Sequence, residues 1–112
     1  MGPFAAGEVV LVHFPFSDLT ASKLRPAVVL AEAGRGDWIL CQITSKPYGD
    51  PKAIFLDVPD FSTGTLRLAS FVRPGKLFTA HNSLVGRTIG ALKPGSFSTI
   101  REAVVRMIQN GS

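Results

Sequence analysis

Short runs of apolar residues, separated by glycine and proline, dominate the chain. The runs at 8–14, 27–31, 38–44, 53–58 and 66–72 have the length and the β-branched content of strands. The first run is apolar on both faces, which favours a strand inside a sheet rather than at its edge. The chain contains 11 Gly and 8 Pro in 112 residues, and such frequent turn-forming residues between short strands are typical of a small β-barrel or sandwich.

Alternation within the third run predicts which of its side chains enter the core. We expect Ile39, Cys41 and Ile43 on the core face, and Leu40, Gln42 and Thr44 on the opposite face. The sequence 34–37 predicts a tight turn that joins the second strand to the third. Loops are predicted at 46–51 and 59–65, and a strand interrupted by glycines at 84–92.

The C-terminal end has helical rather than strand-like spacing. Its apolar positions are Phe97, Ile100, Val104, Met107 and Ile108. Pro94 and Gly95 mark a break before this segment, and Ser96 or Ser98 is the expected cap. The whole pattern predicts a mainly β fold in one domain over residues 1–112, with one amphipathic helix packed on a curved antiparallel sheet.

A polar loop is predicted from Pro15 to Leu24, and Arg25 closes it. Pro26 restricts Arg25 to an extended conformation, so Arg25 is expected at the rim of the sheet. A guanidinium group there is suited to binding phosphate, because its planar fork matches two phosphate oxygens. A salt bridge to Asp18 within the loop is the alternative interpretation.

The distribution of charge is more informative than the net charge of +4. No acidic residue lies between Phe61 and Arg101, whereas six basic residues fall in that stretch. A segment of one sign is expected where a protein binds a polyanion. A solvated basic face that maintains solubility explains the same pattern equally well.

Further candidate residues lie at strand ends. Thr44, Ser45 and Lys46 place two hydroxyls beside an ammonium group, which suits either phosphate binding or ordinary capping of the strand. Arg73 precedes Pro74 and is a candidate for another phosphate contact. His13 and His81 are the side chains expected to titrate near neutral pH, and each is either an acid–base group or a structural histidine.

Several classes of chemistry are not indicated by the sequence. The single cysteine, Cys41, excludes an internal disulfide, favours a reducing compartment and is expected in the core. His13, Cys41 and His81 lack the spacing of metal ligands, so neither a metal nor another cofactor is expected. No apolar run is long enough for a signal peptide or a membrane span, so we expect a soluble cytoplasmic protein.

Four sequence blocks resemble the PemK/MazF toxin family. The first comprises 7–10, 14–18 and 23–30, including Lys-Leu-Arg-Pro-Ala-Val-Val-Leu; the second is Cys-Gln-Ile-Thr-Ser at 41–45. The third comprises Ser-Phe-Val-Arg-Pro at 70–74 and Lys-Leu-Phe-Thr at 76–79, and the fourth is Ile-Gly-Ala-Leu at 89–92. The resemblance covers nearly the whole chain.

The resemblance implies an SH3-like β-barrel of the PemK/MazF/CcdB type with a C-terminal helix, usually as a homodimer. It also implies a toxin of a type II toxin–antitoxin system, acting as a metal-independent endoribonuclease on single-stranded mRNA and neutralised by a cognate antitoxin. The family's catalytic arginine matches Arg25, and its catalytic threonine or serine matches Thr44. The third-block arginine matches Arg73.

Some family members carry a catalytic carboxylate shortly before the third-block arginine, but residues 68–72 of this chain contain none. We therefore nominate His13 as the general acid or base beside Arg25 and Thr44, with Glu8 and Asp18 as substitutes. The RNA-binding residues are expected to be Lys23, Ser45, Lys46, Arg67, Arg73 and Lys76.

Two alternative functions remain open at this stage. A non-catalytic RNA-binding barrel fits the absent carboxylate. A CcdB-like toxin that binds a protein target shares the fold, but such proteins act through a C-terminal helix ending in an exposed Trp. The one Trp of this chain, Trp38, lies in a predicted strand instead.

Overall fold

A computed structural model of the chain describes residues 3–15 and 22–112, with the backbone alone at 14, 15 and 22. Within these residues seven strands form one antiparallel sheet in the order β4-β6-β3-β2-β1-β7-β5. The strands are β1 (Glu8–Pro15), β2 (Ser22–Gly34), β3 (Asp37–Thr44), β4 (Ile54–Leu56), β5 (Phe61–Gly64), β6 (Ser70–His81) and β7 (Val85–Leu92). Short 3-10 helices span Val58–Asp60 and Asn82–Leu84, and α1 spans Pro94–Asn110. The predicted mainly β fold with a C-terminal helix is confirmed.

β2 is longer than the sequence predicts. It begins at Ser22, so Arg25 lies inside the strand and does not close a loop. The reason is that β1 pairs with β2 as far as Pro15 opposite Ser22, and this pairing extends the strand. Pro26 is tolerated because the β3 pairing of β2 begins only at Ala27, opposite Gln42. The rest of the predicted loop, residues 16–21, lies outside the described residues.

The predicted turn between β2 and β3 is confirmed as a two-residue hairpin connection. Arg35 and Gly36 have φ values of 56° and 80°. Positive φ at both central positions is the geometry that matches the twist of a hairpin. As expected, β1 is an interior strand, between β2 and β7.

Three predicted boundaries after β3 are wrong. Residues 66–69 are irregular, and β6 instead begins at Ser70 and continues through Pro74 to His81. The predicted loop at 59–65 contains β5, which pairs with β7. Gly64 and Gly90 permit this pairing, because a Cβ at Gly64 would collide with the Ile89 carbonyl oxygen. β4 is cut short at Leu56 because the Asp57 and Asp60 side chains form a capping box on the next 3-10 helix.

Two apolar clusters lie on the two faces of the sheet. The first cluster contains Val9, Val28, Cys41, Ile43, Leu56, Phe61, Val72, Leu92, Phe97 and Ile100. The second cluster contains Val10, Val12, Ala27, Val29, Trp38, Leu40 and Ala80. Both faces of β3 therefore contribute to a core, whereas the sequence interpretation assigned the core to the face of Cys41 and Ile43. Leu40 is fully buried, and Ile39 is only half-buried.

The second cluster is closed by contacts that alternation in one strand does not reveal. Phe4 packs edge-on against Trp38, with ring centroids 5.5 Å apart. The Trp38 indole Nε1 donates a hydrogen bond of 2.6 Å to Asn82 Oδ1. Residues distant in sequence, Phe4 before β1 and Asn82 between β6 and β7, thus cover the β3 face that was expected to be the less buried one.

The buried residues of α1 are Phe97, Ile100 and Val104, and Phe97 and Ile100 belong to the first cluster. Lys93 is the N-cap and Pro94 occupies the first turn, so the expected Ser96 or Ser98 cap is wrong. Ser96 instead donates a hydrogen bond of 2.8 Å to Asp60 Oδ1. Ile108 is exposed, so the buried stripe ends before it. In the part of the chain that the structure describes, no helix is long and apolar enough to cross a membrane.

Candidate functional site

A cleft of about 420 Å³ opens where the ends of β2 and β3 approach β7 and the segment 65–70. Among the described residues, four cationic and four hydroxyl residues line it, together with apolar side chains and no carboxylate. The cations are Lys23, Arg25, Arg67 and Arg87; the hydroxyl residues are Thr44, Ser45, Thr65 and Ser70. A concave surface with this composition concentrates positive potential, as expected for binding an anion.

Strand register brings Arg25 and Thr44 together. Arg25 pairs with Val12 of β1, and the β2–β3 register places Ala27 opposite Gln42. Two residues further along each strand, the same register places Arg25 opposite Thr44, on the face of the sheet that carries Ala27. Both residues line the cleft, so residues 19 positions apart in the sequence contribute to one site.

Arg25 is half-buried and makes no ion pair with the described part of the chain. Asp18, the partner considered for a loop salt bridge, lies outside the described residues. A half-buried guanidinium keeps its charge and retains its donors for a ligand. The geometry therefore suits contact with phosphate oxygens.

Thr44 takes part in the local capping considered for this strand end. Its Oγ1 accepts a hydrogen bond of 3.1 Å from the Lys46 N–H and lies 3.2 Å from the Lys46 carbonyl oxygen, to which it donates. These bonds fix the Thr44 hydroxyl at the cleft. Ser45 also lines the cleft, whereas Lys46 is exposed and does not line it.

The other candidate residues lie away from the cleft lining. Arg73 donates from Nε to Asp50 Oδ2 at 2.9 Å, in a partly buried salt bridge. Lys76 is exposed further along β6. His13 is exposed on β1 and pairs with Leu24, which itself lines the cleft. The cleft thus unites Lys23, Arg25, Thr44, Ser45 and Arg67, but not His13, Lys46, Arg73 or Lys76.

Arg87, Thr65 and Ser70 also line the cleft, and Thr65 and Ser70 are positions that the sequence did not nominate. Arg87 belongs to the acid-free stretch, which was the available signal. It reaches the cleft because β7 pairs with β1, which places Arg87 opposite Leu11. Thr65 and Ser70 flank the irregular segment that was predicted to be a strand. Their position depends on a turn of the backbone that apolar periodicity does not encode.

The contacts of Cys41 and His81 indicate structural rather than catalytic roles. Cys41 is fully buried, and desolvation raises the pKa of its thiol to about 12. Its Sγ donates a hydrogen bond of 3.1 Å to the Arg73 carbonyl oxygen, which confirms the predicted core position. His81 Nδ1 accepts a hydrogen bond of 3.2 Å from the Ser83 N–H, as an N-cap of a 3-10 helix does. Within the described ranges, no group of three or more His, Cys, Asp or Glu side chains has an arrangement that holds a metal ion.

The salt bridge of Arg73 has a predicted effect on stability. Hydrogen bonds from the Arg73 side chain and the Lys52 N–H hold the pKa of Asp50 below its ordinary value of 3.8. A depressed folded-state pKa stabilises the fold above the unfolded-state value, and this stabilisation is lost as the pH falls through the folded-state value. We expect Asp50→Asn to lower the Tm at pH 7 by roughly 3–6 °C, as about 1 kcal/mol would in a domain of this size.

Thermal unfolding measured from pH 7 down to pH 2 tests this expectation. The difference between Asp50→Asn and the wild type is expected to vanish at the acid end. Glu102→Gln, which removes an exposed carboxylate from α1, is the matched control and is expected to leave the Tm nearly unchanged. A Tm difference for Asp50→Asn that is constant over the whole pH range would contradict the ionic origin of the effect.

Solved structures share this fold. The MazE–MazF complex (Form II) of Deinococcus radiodurans superposes with a TM-score of 0.77 at 17% identity, over 97% of this chain and 98% of that chain. An endoribonuclease in complex with its cognate antitoxin, from a mycobacterial species, gives a TM-score of 0.73 at 14% identity, over 97% and 96%. MazF (Form I) of Deinococcus radiodurans gives 0.70 at 20% identity, over 93% and 94%. At these identities the likeness establishes the fold alone.

A search of curated protein sequences finds no match to this chain. The family model of PemK-like, MazF-like toxins of type II toxin–antitoxin systems matches residues 5–108. The matched range includes every described strand and almost all of α1. The chain therefore belongs to the family of PemK-like, MazF-like toxins of type II toxin–antitoxin systems.

Proposed function

We propose that the protein is an endoribonuclease that cleaves single-stranded mRNA without a metal ion, through attack of the RNA 2′-hydroxyl. The observation that carries the proposal is a cleft that brings Arg25 and Thr44 together with further cations and whose described lining residues include no carboxylate. Two structural relatives are described as endoribonucleases, one of them in complex with its cognate antitoxin. RNA contains its own nucleophile, so the enzyme needs chiefly to position it and to stabilise charge.

In the proposed reaction the 2′-oxygen forms a bond to the adjacent phosphorus, and the bond from phosphorus to the 5′-oxygen breaks. The products are a 2′,3′-cyclic phosphate and a free 5′-hydroxyl. Arg25 stabilises the negative charge that develops on the phosphoryl oxygens, and Thr44 offers a hydroxyl to the same group. Lys23, Ser45 and Arg67, which line the rest of the cleft, bind the RNA that flanks the scissile phosphate.

We assign the proton transfers to His13. His13 pairs with Leu24, which lines the cleft next to Arg25, so the His13 backbone lies one residue from the β1 position opposite Arg25. A histidine suits both acid and base roles near neutral pH. Glu8, one of the substitutes considered, is bound elsewhere, because its Oε1 accepts a hydrogen bond of 2.8 Å from the Ala5 N–H.

We further propose that the toxin is a homodimer in the cytoplasm and that a cognate antitoxin neutralises it. The support is family membership together with the antitoxin complexes among the structural relatives. Lys46, Arg73 and Lys76 stay candidates for RNA contact outside the cleft of a single chain. Sedimentation velocity that detects only monomer at roughly tens of micromolar protein would count against the dimer.

The second candidate function is binding of RNA without turnover. The specific observation in its favour is that the described residues lining the cleft include no carboxylate that could act as an acidic general base. A CcdB-like mode of action through an exposed C-terminal Trp has less support. Trp38 is buried in β3, and α1 ends at Asn110 with Gly111 in a left-handed conformation.

The test is incubation of the purified protein with end-labelled single-stranded RNA, with and without EDTA, followed by analysis of the product ends. We expect cleavage that survives EDTA, because fixed cations supply the positive charge that the transition state requires. Double-stranded RNA of the same sequence is the control and is expected to stay intact. Cleavage that EDTA abolishes and Mg²⁺ restores would contradict the metal-independent mechanism, and binding without cleavage would favour the second candidate.

A further inference from the structure

Two phenylalanines continue the row of residues that begins with Arg25 and Thr44. Thr44 of β3 lies opposite Phe71 of β6, and Phe71 lies opposite Phe55 of β4. Directly opposed residues in neighbouring antiparallel strands share a face of the sheet. The row therefore places Phe71 next to Thr44, and Phe55 one strand further out.

The aromatic pair, Phe55 and Phe71, is not part of the hydrophobic core. The residues that flank them in their strands, Ile54, Leu56 and Val72, belong to the first cluster or pack against it, which turns Phe55 and Phe71 to the opposite face. The two rings have centroids 5.5 Å apart and are tilted by 54°. Phe55 is 52% exposed and lies on β4, a three-residue strand at the edge of the sheet. An exposed apolar side chain at a sheet edge favours association with another molecule.

We propose that the aromatic pair is a stacking site for an unpaired base of the RNA, one or a few nucleotides from the phosphate held at Arg25 and Thr44. The proposal rests on the proposed function, because it names how that site holds its substrate. Strand spacing sets Phe71 and Phe55 about 5 and 10 Å from Thr44. This is within a few nucleotides at the rise of about 3.4 Å of a stacked strand.

The surroundings favour a nucleobase over another occupant. Sites that bind single strands combine a cationic groove with aromatic rings, because every base has a face that stacks. Here the aromatic pair lies beside a cleft whose described lining includes four cations and no acid, and Lys46, two residues after Thr44, is exposed. The row across the sheet consists of Arg25, Thr44, Phe71 and Phe55. An RNA strand bound at Arg25 therefore reaches Phe55 without passing an acidic side chain of this row.

The test measures binding separately from cleavage. The probe is a short, fully 2′-O-methylated RNA oligonucleotide, which lacks the nucleophile, with 2-aminopurine placed at successive positions. Anisotropy gives the Kd, and 2-aminopurine fluorescence reports stacking. We expect Phe55→Ala to raise the Kd about 5- to 100-fold, the range of lost base–aromatic stacking, and to remove the change in 2-aminopurine fluorescence.

Matched variants separate stacking from other roles of the Phe55 side chain. Phe55→Trp is expected to retain affinity, and Phe55→Leu is expected to lose as much affinity as Phe55→Ala. Val58→Ala, which shortens an exposed apolar residue on the neighbouring 3-10 helix, is expected to bind as the wild type does. The slope of log Kd against log salt is expected to be the same in every variant, because stacking displaces no counterions.

Wild-type affinity in Phe55→Ala or full affinity in Phe55→Leu would overturn the inference. So would a change of oligomeric state in Phe55→Ala, which would make the aromatic pair an interface between copies of this chain. If the wild type binds the probe with the predicted variant pattern but does not cut ribose RNA, the stacking site stands and the nuclease proposal fails. If the wild type does not bind the probe, both fail.

Discussion

Arg25→Ala is expected to abolish RNA cleavage and to leave the fold intact. Removing one preorganised donor to developing charge typically lowers kcat by about 10²–10³-fold, and Arg25 contributes a full positive charge as well. The fold is expected to survive because Arg25 is only half-buried and makes no ion pair with the described residues. Single-turnover cleavage of labelled RNA gives the rate, and circular dichroism with a Tm measurement monitors the fold.

Arg106→Ala is the matched control for the loss of one charge. Arg106 is exposed on α1 and does not line the cleft. The control is expected to cleave at nearly the wild-type rate. Loss of activity in both variants would indicate a general dependence on net charge rather than a role for Arg25. An unfolded Arg25→Ala protein would indicate that Arg25 has a structural rather than a catalytic role.

Variants of Thr44 separate its hydroxyl from its local hydrogen bonds. Thr44→Ala is expected to slow cleavage less than Arg25→Ala does, because a neutral hydrogen bond contributes less than a charge-assisted one. Thr44→Ser retains Oγ and with it the bonds to the Lys46 backbone, so it is expected to recover most of the activity. A Thr44→Ser variant as slow as Thr44→Ala would contradict a role for the hydroxyl.

The sequence predicts the elements of this fold that rest on local patterns. The interior position of β1 follows from its apolar residues on both faces, and the hairpin at Arg35 and Gly36 follows from turn chemistry. The burial of Leu40 and Trp38 is different, because Phe4 and Asn82 close the second cluster from distant parts of the chain. A pattern within one strand contains no information about such partners.

In the candidate site, too, local sequence patterns predict some residues, whereas others depend on contacts between distant parts of the chain. The sequence identified Arg25 and Thr44 through their resemblance to a family, and the acid-free stretch pointed to Arg67. Arg87 enters the cleft only through the pairing of β7 with β1, and Arg73 binds Asp50 across 23 positions. Charge along a sequence predicts that a basic surface exists. Strand register determines which basic residues share it.

Replacing one ribose of the RNA by 2′-deoxyribose is expected to stop cleavage at that position and nowhere else. The cleavage positions are first mapped on all-ribose RNA, and the sugar on the 5′ side of the scissile phosphate is then changed. The proposed reaction takes its nucleophile from that sugar, so its removal leaves no group to attack phosphorus. Binding is expected to change little, because the proposed contacts of Arg25, Lys23 and Arg67 are to phosphate rather than to the 2′-hydroxyl.

The product ends test the same chemistry independently. Attack by the 2′-oxygen leaves a 5′-hydroxyl on one fragment and a 2′,3′-cyclic phosphate, or the 3′-phosphate formed from it, on the other. A deoxyribose one nucleotide away is the control and is expected to permit cleavage. A deoxy-substituted strand that is still cut at the original bond, or a fragment with a 5′-phosphate, would mean that water is the nucleophile. In that case Arg25 and Thr44 would have to orient a water molecule, and the assignment of His13 would no longer follow from the reaction.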